Sequence, residues 1–398
     1  MRKDKKMRIL YISPQLGKGG AEDILVNLSN YFSKDNKVTL FLFLRYKEDK
    51  YNILRLREKV TIKSLFVNNL SSSSMINKIF KMILYIFSPI ISVYLYLYLK
   101  MYKFDIIHIN MTLSSFYLPF FKLLSKLTLN KRTKFVETFH TNWHLLKRFN
   151  KIIFPISWSL VDHIIYEIGE HEINNIKKYS FAKNISFIPF GVPSKEKIDK
   201  KILNDFYKKY INYDTSKIIT LMTISRLRFF EKKIDVMLEI TKRLLDKGFK
   251  DFKFVICGDG EDRDKIKKLI LKSNISDYVI LTGYVDNPQQ LVNVCDIFVV
   301  AMVGNFTGIA GLQAGMAVKP VVGIQTLDDY DSSNDSIFSS SNIDELANKI
   351  ISLNESNDYK MYQEKVFDYI SKIHDIDYFY KNYKILYTSL LTLRDDEK

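Results

Sequence analysis

Arg8-Ile9-Leu10-Tyr11-Ile12-Ser13, followed within four residues by Gly17-Lys18-Gly19-Gly20-Ala21-Glu22, is the stretch on which the fold turns. A short apolar run closed by a glycine cluster is a buried strand entering a turn, and over 21–32 the apolar spacing changes to the helical period. Strand, glycine loop and helix together open a parallel α/β sheet. The alternation continues with strands expected at 37–44, 105–110, 134–138, 163–166 and 185–189. It restarts at 217–224 and runs through helix 234–247, strand 253–257, helix 261–273, strand 278–281, helix 288–294, strand 296–301, helix 309–317 and strand 319–323. The expected fold class is therefore α/β, with two doubly wound Rossmann-like domains. Ligands of such sheets bind beyond the carboxyl ends of the strands, so two facing sheets would share one cleft.

The length of 398 residues fits two domains better than one core. Gly191, Pro193 and a Lys/Asp-rich run interrupt the pattern between 189 and 217. The expected division is a first domain over 1–195, a second over 196–375 and a closing helix over 376–398. Cys257 and Cys295 lie in apolar runs without metal-site spacing, which makes them buried thiols and fits a reducing compartment. The apolar run after the basic start is too short for a secretory leader, so a cytoplasmic protein is expected.

Charge is unevenly placed. Residues 1–190 hold 30 Lys/Arg against 13 Asp/Glu, whereas residues 191–398 hold 30 against 31. A basic half calls for an anionic partner. Residues 82–99 carry no charge and are flanked by Lys78, Lys81, Lys100 and Lys103. A span would put the strands on either side of it across a bilayer from each other, and Pro89 should break a helix midway. That leaves a helix buried between layers, or one lying on anionic lipid with snorkelling lysines and Tyr85, Tyr94, Tyr96 and Tyr98 at the headgroups. No nucleic-acid module appears, and a nucleic-acid partner is not expected.

Several loops after strands carry chemistry. Gly19 and Gly20 open a helix whose amides can approach a diphosphate closely. Ser225-Arg226-Leu227, with Glu231-Lys232-Lys233 after it, brings two cations to one strand end, where they can neutralise a leaving diphosphate without a metal. Gly258 belongs to the turn Cys257-Gly258-Asp259-Gly260, and Tyr284 and Val285 follow a strand from which main-chain groups could meet a base. The segment from Asn305 through Phe306, Thr307, Gly308 and Ile309 to Gln313 enters another helix. His140 and His144 have helical metal spacing, but His140 ends a strand and no third ligand is evident. Asp329-Tyr330-Asp331 and Asp375-Ile376-Asp377 read as acidic loops.

In this order and spacing the elements resemble the retaining glycosyltransferase family 4, of GT-B fold, over residues 7 to about 390. The matching pieces are Gly19–Glu22, Asp105-Ile106-Ile107-His108, the strand ending at His140, Ile188-Pro189-Phe190-Gly191-Val192, Arg226 with Lys232, Gly258-Asp259-Gly260, Gly283-Tyr284-Val285 and the 305–313 segment. The resemblance implies that Arg226 and Lys232 grip the donor diphosphate with help from amides near Gly20. It also implies that Tyr284 and Val285 border the base, that residues 306–309 offer amides to sugar and phosphate, and that His140 lies by the reacting sugar. No cofactor or metal is implied, since the nucleotide sugar is a substrate. The sequence departs from the family at Asn305 and Gln313, which replace two glutamates, at Phe190, which replaces an asparagine, and at Lys233, which replaces a glycine.

The expected activity is transfer of a hexosyl or N-acetylhexosaminyl group, with retention, from a nucleoside-diphosphate sugar to a lipid-linked or surface-glycan acceptor. The pathway implied is bacterial surface-polysaccharide assembly, at the inner face of the cell membrane. The alternative is a non-catalytic glycosyltransferase-like subunit that steadies an active partner.

Overall fold

Runs of Ile, Leu, Val and Phe with no polar interruption suit strands covered on both faces, and the described strands all lie in two parallel sheets. The computed structural model describes residues 6–17, 19–46, 49–67, 86–110, 122–123, 125, 133–140, 148–168, 172–179, 184–194, 198–302, 307–325, 338–355 and 358–392. The chain divides into two units, Met1–Phe190 with Asp377–Lys398, and Gly191–Ile376. The division falls after Phe190. The Val192 N–H donates to the His374 carbonyl at 2.9 Å, and Val192 bridges to Asp375, so the residues after Phe190 are held by the second unit.

In the first unit the strands are β1 (Arg8–Ser13), β2 (Lys37–Arg45), β3 (Val60–Val67), β4 (Ile106–Asn110), β5 (Lys134–Phe139), β6 (His163–Tyr166) and β7 (Ile185–Phe187), in the spatial order β3-β2-β1-β4-β5-β6-β7. The order reverses between β1 and β4. Asp105, just ahead of β4, takes the Arg8 guanidinium on both carboxylate oxygens and so ties these two central strands at their amino ends. β3 is an edge strand absent from the sequence expectation. Its outer residues Phe66 and Val67 are exposed, so it lacks the unbroken apolar run that marks the inner strands.

Helix Gly20–Phe32 buries Ile24, Leu25, Leu28 and Phe32 on one face. Helix Ser88–Met101 places Ile91, Leu95 and Leu99 against Leu10, Ile12, Phe41 and Ile107 of the sheet. Pro89 sits in its first turn, where proline's fixed φ and missing N–H cost nothing, so it starts this helix and does not break it. The opposite face, with Ile90, Val93, Tyr94, Leu97 and Met101, is exposed. No described helix is long and apolar enough to cross a membrane. Residues 82–85, Lys78 and Lys81 lie outside the described residues.

The last helix, Ile376–Thr392, buries Phe379, Tyr383, Tyr387 and Leu390 in the first unit. Tyr380 stacks on Tyr31 with ring centroids 4.1 Å apart.

The second unit comprises β8 (Ile219–Ile224), β9 (Phe252–Cys257), β10 (Val279–Gly283), β11 (Ile297–Met302), β12 (Val321–Gln325) and the two-residue β13 (Ser339–Ser340), in the order β10-β9-β8-β11-β12-β13. This is the dinucleotide-fold order, with its reversal between β8 and β11. Cys257 and Cys295 are buried free thiols that burial pushes up to about 12.

Candidate active site

In the second unit the geometry begins with the backbone. The loop leaving β8 is extended and lies against the loop leaving β9. Ser225 N–H donates to the Cys257 carbonyl and Leu227 N–H to the Asp259 carbonyl, each at 3.0 Å. Asp262 N–H donates to the Leu227 carbonyl at 3.2 Å. The Asp262 carboxylate accepts the Phe229 N–H at 2.8 Å. Alternation along this pinned strand end buries Leu227 and turns Arg226 out to solvent. Lys232 is exposed at the end of the short helix Phe229–Lys232 that follows.

Two glycines make this close approach feasible. A Cβ at Gly258 would stand 1.8 Å from the Ser225 carbonyl oxygen, and one at Gly260 would stand 2.3 Å from that of Leu227. Gly258 also has a φ of +138°. The packing thus gives Gly258 a structural role, as the residue that lets the Arg226 loop seat. Lys233 takes the left-handed conformation, φ 49° and ψ 45°, between the short helix and helix Ile234–Asp246. That conformation favours glycine, the residue the family resemblance implies at this position.

The remaining positions cluster at the same end of this sheet. Gly283 ends β10 with φ +77° and its N–H-side neighbour Thr282 is buried; the Gly283 carbonyl accepts from Gly258 N–H at 2.8 Å. Tyr284 is exposed and Val285 is buried. Thr307 is buried at the start of helix Gly308–Met316, where Gly308 has φ +75° and Ile309 and Gln313 are half-buried. Asn305 and Phe306 lie outside the described residues. So Arg226 and Lys232 follow β8, and Thr307 and Gly308 open the helix after β11, the two strands that flank the switch point.

In the first unit, Gly19 precedes helix Gly20–Phe32 with an extended φ of −168° and no side-chain cap. Asn52 holds the approach to this turn by donating to the Gly17 carbonyl at 2.7 Å. Asp23, in the helix's first turn, is paired with Arg55. Two strands along the sheet, His140 immediately follows β5. Its Nε2 is 3.0 Å from Asn110 Oδ1, at the end of β4. Its Nδ1 is 2.7 Å from Glu167 Oε2, just past β6. Phe190 lies parallel to the imidazole at 6.0 Å between centroids, so the residue in the family's asparagine position packs on the histidine.

Deeper in the same layer His108 is wholly buried, with Nδ1 2.5 Å from Tyr387 Oη and Nε2 2.5 Å from Thr138 Oγ1. Burial, aided by the neighbouring His140, lowers His108 to about 3. Tyr383 donates to Glu167 Oε1 at 2.6 Å. Sequence reasoning found His140 but not Asn110, Glu167, Tyr383 or Tyr387. The available signal was Glu167 itself, a lone carboxylate closing the apolar run Ile164-Ile165-Tyr166. Among the described residues no cluster of His, Cys, Asp or Glu is arranged to hold a metal. His144 and Asp329–Asp331 lie outside the described residues, and Asp377 stands in the first turn of the last helix.

Two parallel sheets in these strand orders, each with its loops of interest at a switch point, define the class as the GT-B fold of glycosyltransferases. Family models agree. One described as Glycosyltransferase Family 4 matches residues 18–196, and one described as Glycosyl transferases group 1 matches residues 219–356. Together the two matches support a glycosyltransferase of the family 4, GT-B type.

A poly(ribitol-phosphate) alpha-N-acetylglucosaminyltransferase of Staphylococcus aureus (strain COL) is 29% identical over 147 residues. That match spans 36% of this chain and 29% of the relative's length. Among solved structures, Anabaena HepE in complex with UDP and glucose has a TM-score of 0.72 at 14% identity, covering 96% of this chain and all of that one. Sucrose-phosphate synthase from Thermosynechococcus elongatus has a TM-score of 0.74 at 14% identity, covering 98% and 100%. S. aureus TarM, in complex with Fondaparinux, alpha-GlcNAc-glycerol and UDP, has a TM-score of 0.69 at 15% identity, covering 96% and 99%. At such identities these structures speak for the fold alone.

Proposed function

We propose that this chain is a retaining glycosyltransferase that moves a hexosyl or N-acetylhexosaminyl group from a UDP-sugar to a lipid-linked or surface-glycan acceptor. The observation that carries the reading is the pinned loop after β8, which offers Arg226 to solvent at the switch point, with Lys232 on the next turn. UDP is favoured as the nucleotide because HepE and TarM were solved with UDP.

In this reaction the bond between the anomeric carbon and the diphosphate breaks, and negative charge grows on the leaving phosphate oxygen. The Arg226 guanidinium and Lys232 ammonium offset that charge, which is the role a divalent ion plays in other transferases. The acceptor hydroxyl bonds to the anomeric carbon on the face the diphosphate leaves, and its proton passes to the departing phosphate. In the second unit, amides at Gly308–Ile309 would share the phosphate charge, Tyr284 and Val285 would border the base, and Gln313 would bond a ribose hydroxyl. His140 would border the sugar.

The exposed face of helix Ser88–Met101 supports attachment to an anionic membrane surface. Its apolar residues recur at helical spacing, and Lys100 and Lys103 at its carboxyl end are exposed in a strongly basic half of the chain.

The test is UDP release from UDP-N-acetylglucosamine and UDP-glucose, with EDTA present, by the chain and by Arg226→Ala. Release that survives EDTA and is lost in the variant is the expected result. Release that is insensitive to Arg226 would overturn the assignment. Absence of release with every UDP-sugar and acceptor would favour the non-catalytic subunit. The anomeric configuration of the product, read by NMR, decides retention.

A further inference from the structure

Three neighbouring strands of the first sheet each end in one polar residue, Asn110 after β4, His140 after β5 and Glu167 after β6, and the function proposed above gives Glu167 no part. Its carboxylate is fully buried. Oε1 accepts from the Tyr383 hydroxyl at 2.6 Å, and Oε2 is 2.7 Å from His140 Nδ1. Tyr383 comes from the last helix, 216 residues further along the chain. Burial and the adjacent carboxylate raise its phenol well above the ordinary value, so it stays a donor. Tyr383 Oη also lies 3.4 Å from Thr138 Oγ1, which meets His108 Nε2; His108 Nδ1 meets Tyr387 Oη, which lies 3.4 Å from Tyr11 Oη.

A buried carboxylate is poorly explained by stability, because an apolar residue of similar size would avoid its desolvation. It is well explained by the imidazole it faces. A carboxylate at ion-pair distance from Nδ1 holds the protonated imidazole by charge, and the Tyr383 hydrogen bond to its other oxygen fixes the carboxylate in turn. With Asn110 on Nε2 and Phe190 across one face, His140 is left a single orientation.

We propose that Glu167 is a positioning residue for His140, and that Tyr383 of the last helix sets the orientation of Glu167. The proposal rests on the reading that His140 borders the donor sugar. The last helix then does more than cover the sheet, since one of its hydroxyls reaches the site through a single carboxylate.

The test joins a spectroscopic arm to a kinetic one. Imidazole nitrogen and proton resonances of the full-length chain are recorded by NMR, and those of His140 are assigned by their loss in His140→Ala. In Glu167→Gln and in Tyr383→Phe the His140 Nδ1 proton is expected to move or broaden, while the far-ultraviolet dichroism stays that of the parent. Tyr383→Phe deletes only a hydroxyl and carries the test if Glu167→Gln does not fold. An unmoved His140 resonance in every folded variant overturns the proposal.

Kinetically, UDP release in Glu167→Gln is expected to fall about tenfold in kcat with the donor KM unchanged. The Glu167→Gln/His140→Ala double variant should fall no further than His140→Ala alone, because one residue acts through the other. Independent, multiplicative losses would mean a structural role for Glu167 and overturn the proposal. If His140→Ala leaves UDP release untouched, the role given to His140 fails, while the resonance shift still decides whether Glu167 holds the ring.

Discussion

At the scale of single residues, the loop after β8 separates chemistry from structure within three positions. Arg226 is exposed and makes no part of the core, so Arg226→Ala should leave the melting temperature unchanged while cutting UDP release by about 10²–10³-fold, as expected for a lost charge partner of the transition state. Gly258 is the reverse case. Any Cβ there meets the Ser225 carbonyl, so Gly258→Ala should destabilise the second unit by about 2–3 kcal/mol, read as a lower denaturation midpoint. Lys233 holds a left-handed conformation that costs a non-glycine residue about 1 kcal/mol, and Lys233→Gly should raise the midpoint by that amount. The motif Gly258-Asp259-Gly260 was legible in the sequence as a strand-to-helix turn. Its reason was not, because the clash it avoids is with a residue 33 positions earlier.

At the scale of elements, helix Ser88–Met101 has two apolar faces with different work. Leu95 is wholly buried against the sheet, so Leu95→Ala should cost about 2–5 kcal/mol. Leu97, two residues on, is exposed. Leu97→Glu should leave stability alone and weaken flotation with phosphatidylglycerol vesicles, while neutral vesicles give little flotation of either protein. The eighteen-residue uncharged run showed the apolar content of this helix, and the three-dimensional fold divided that content between core and surface. The inner strands were legible because strands buried on both faces read as unbroken apolar runs; β11, Ile297–Met302, is such a run. β3 was not, because an edge strand mixes Lys63 and Ser64 with its apolar residues. The first half of the candidate site was equally hidden. His140, Glu167 and Tyr383 are brought together by strand order and by the return of the chain, and neither leaves a local pattern.

At the scale of the whole molecule, buried histidines set an acid limit. His108 is lowered to about 3 and His163 to about 4, both chiefly by burial, against an ordinary value of 6.5. Below 6.5 the unfolded chain binds these protons and the folded chain does not. Their neutral burial therefore costs nothing above that pH and lowers stability progressively as pH falls from 6.5 toward 4 and 3. Each contributes a slope of up to about 1.4 kcal/mol per pH unit, measurable as a falling urea midpoint across that window.

The return of the last helix to the first unit also orders events during synthesis. Residues 191–376 form a complete unit of their own, whereas the first 190 residues await Phe379, Tyr383 and Tyr387 to close over His108 and Glu167. On the ribosome the earliest-made half must therefore wait roughly 10–40 s, the time needed to translate the intervening segment, before its last structural element emerges. A released chain cut after residue 376 would hold the whole second unit beside a first unit lacking the helix that covers His108 and Glu167.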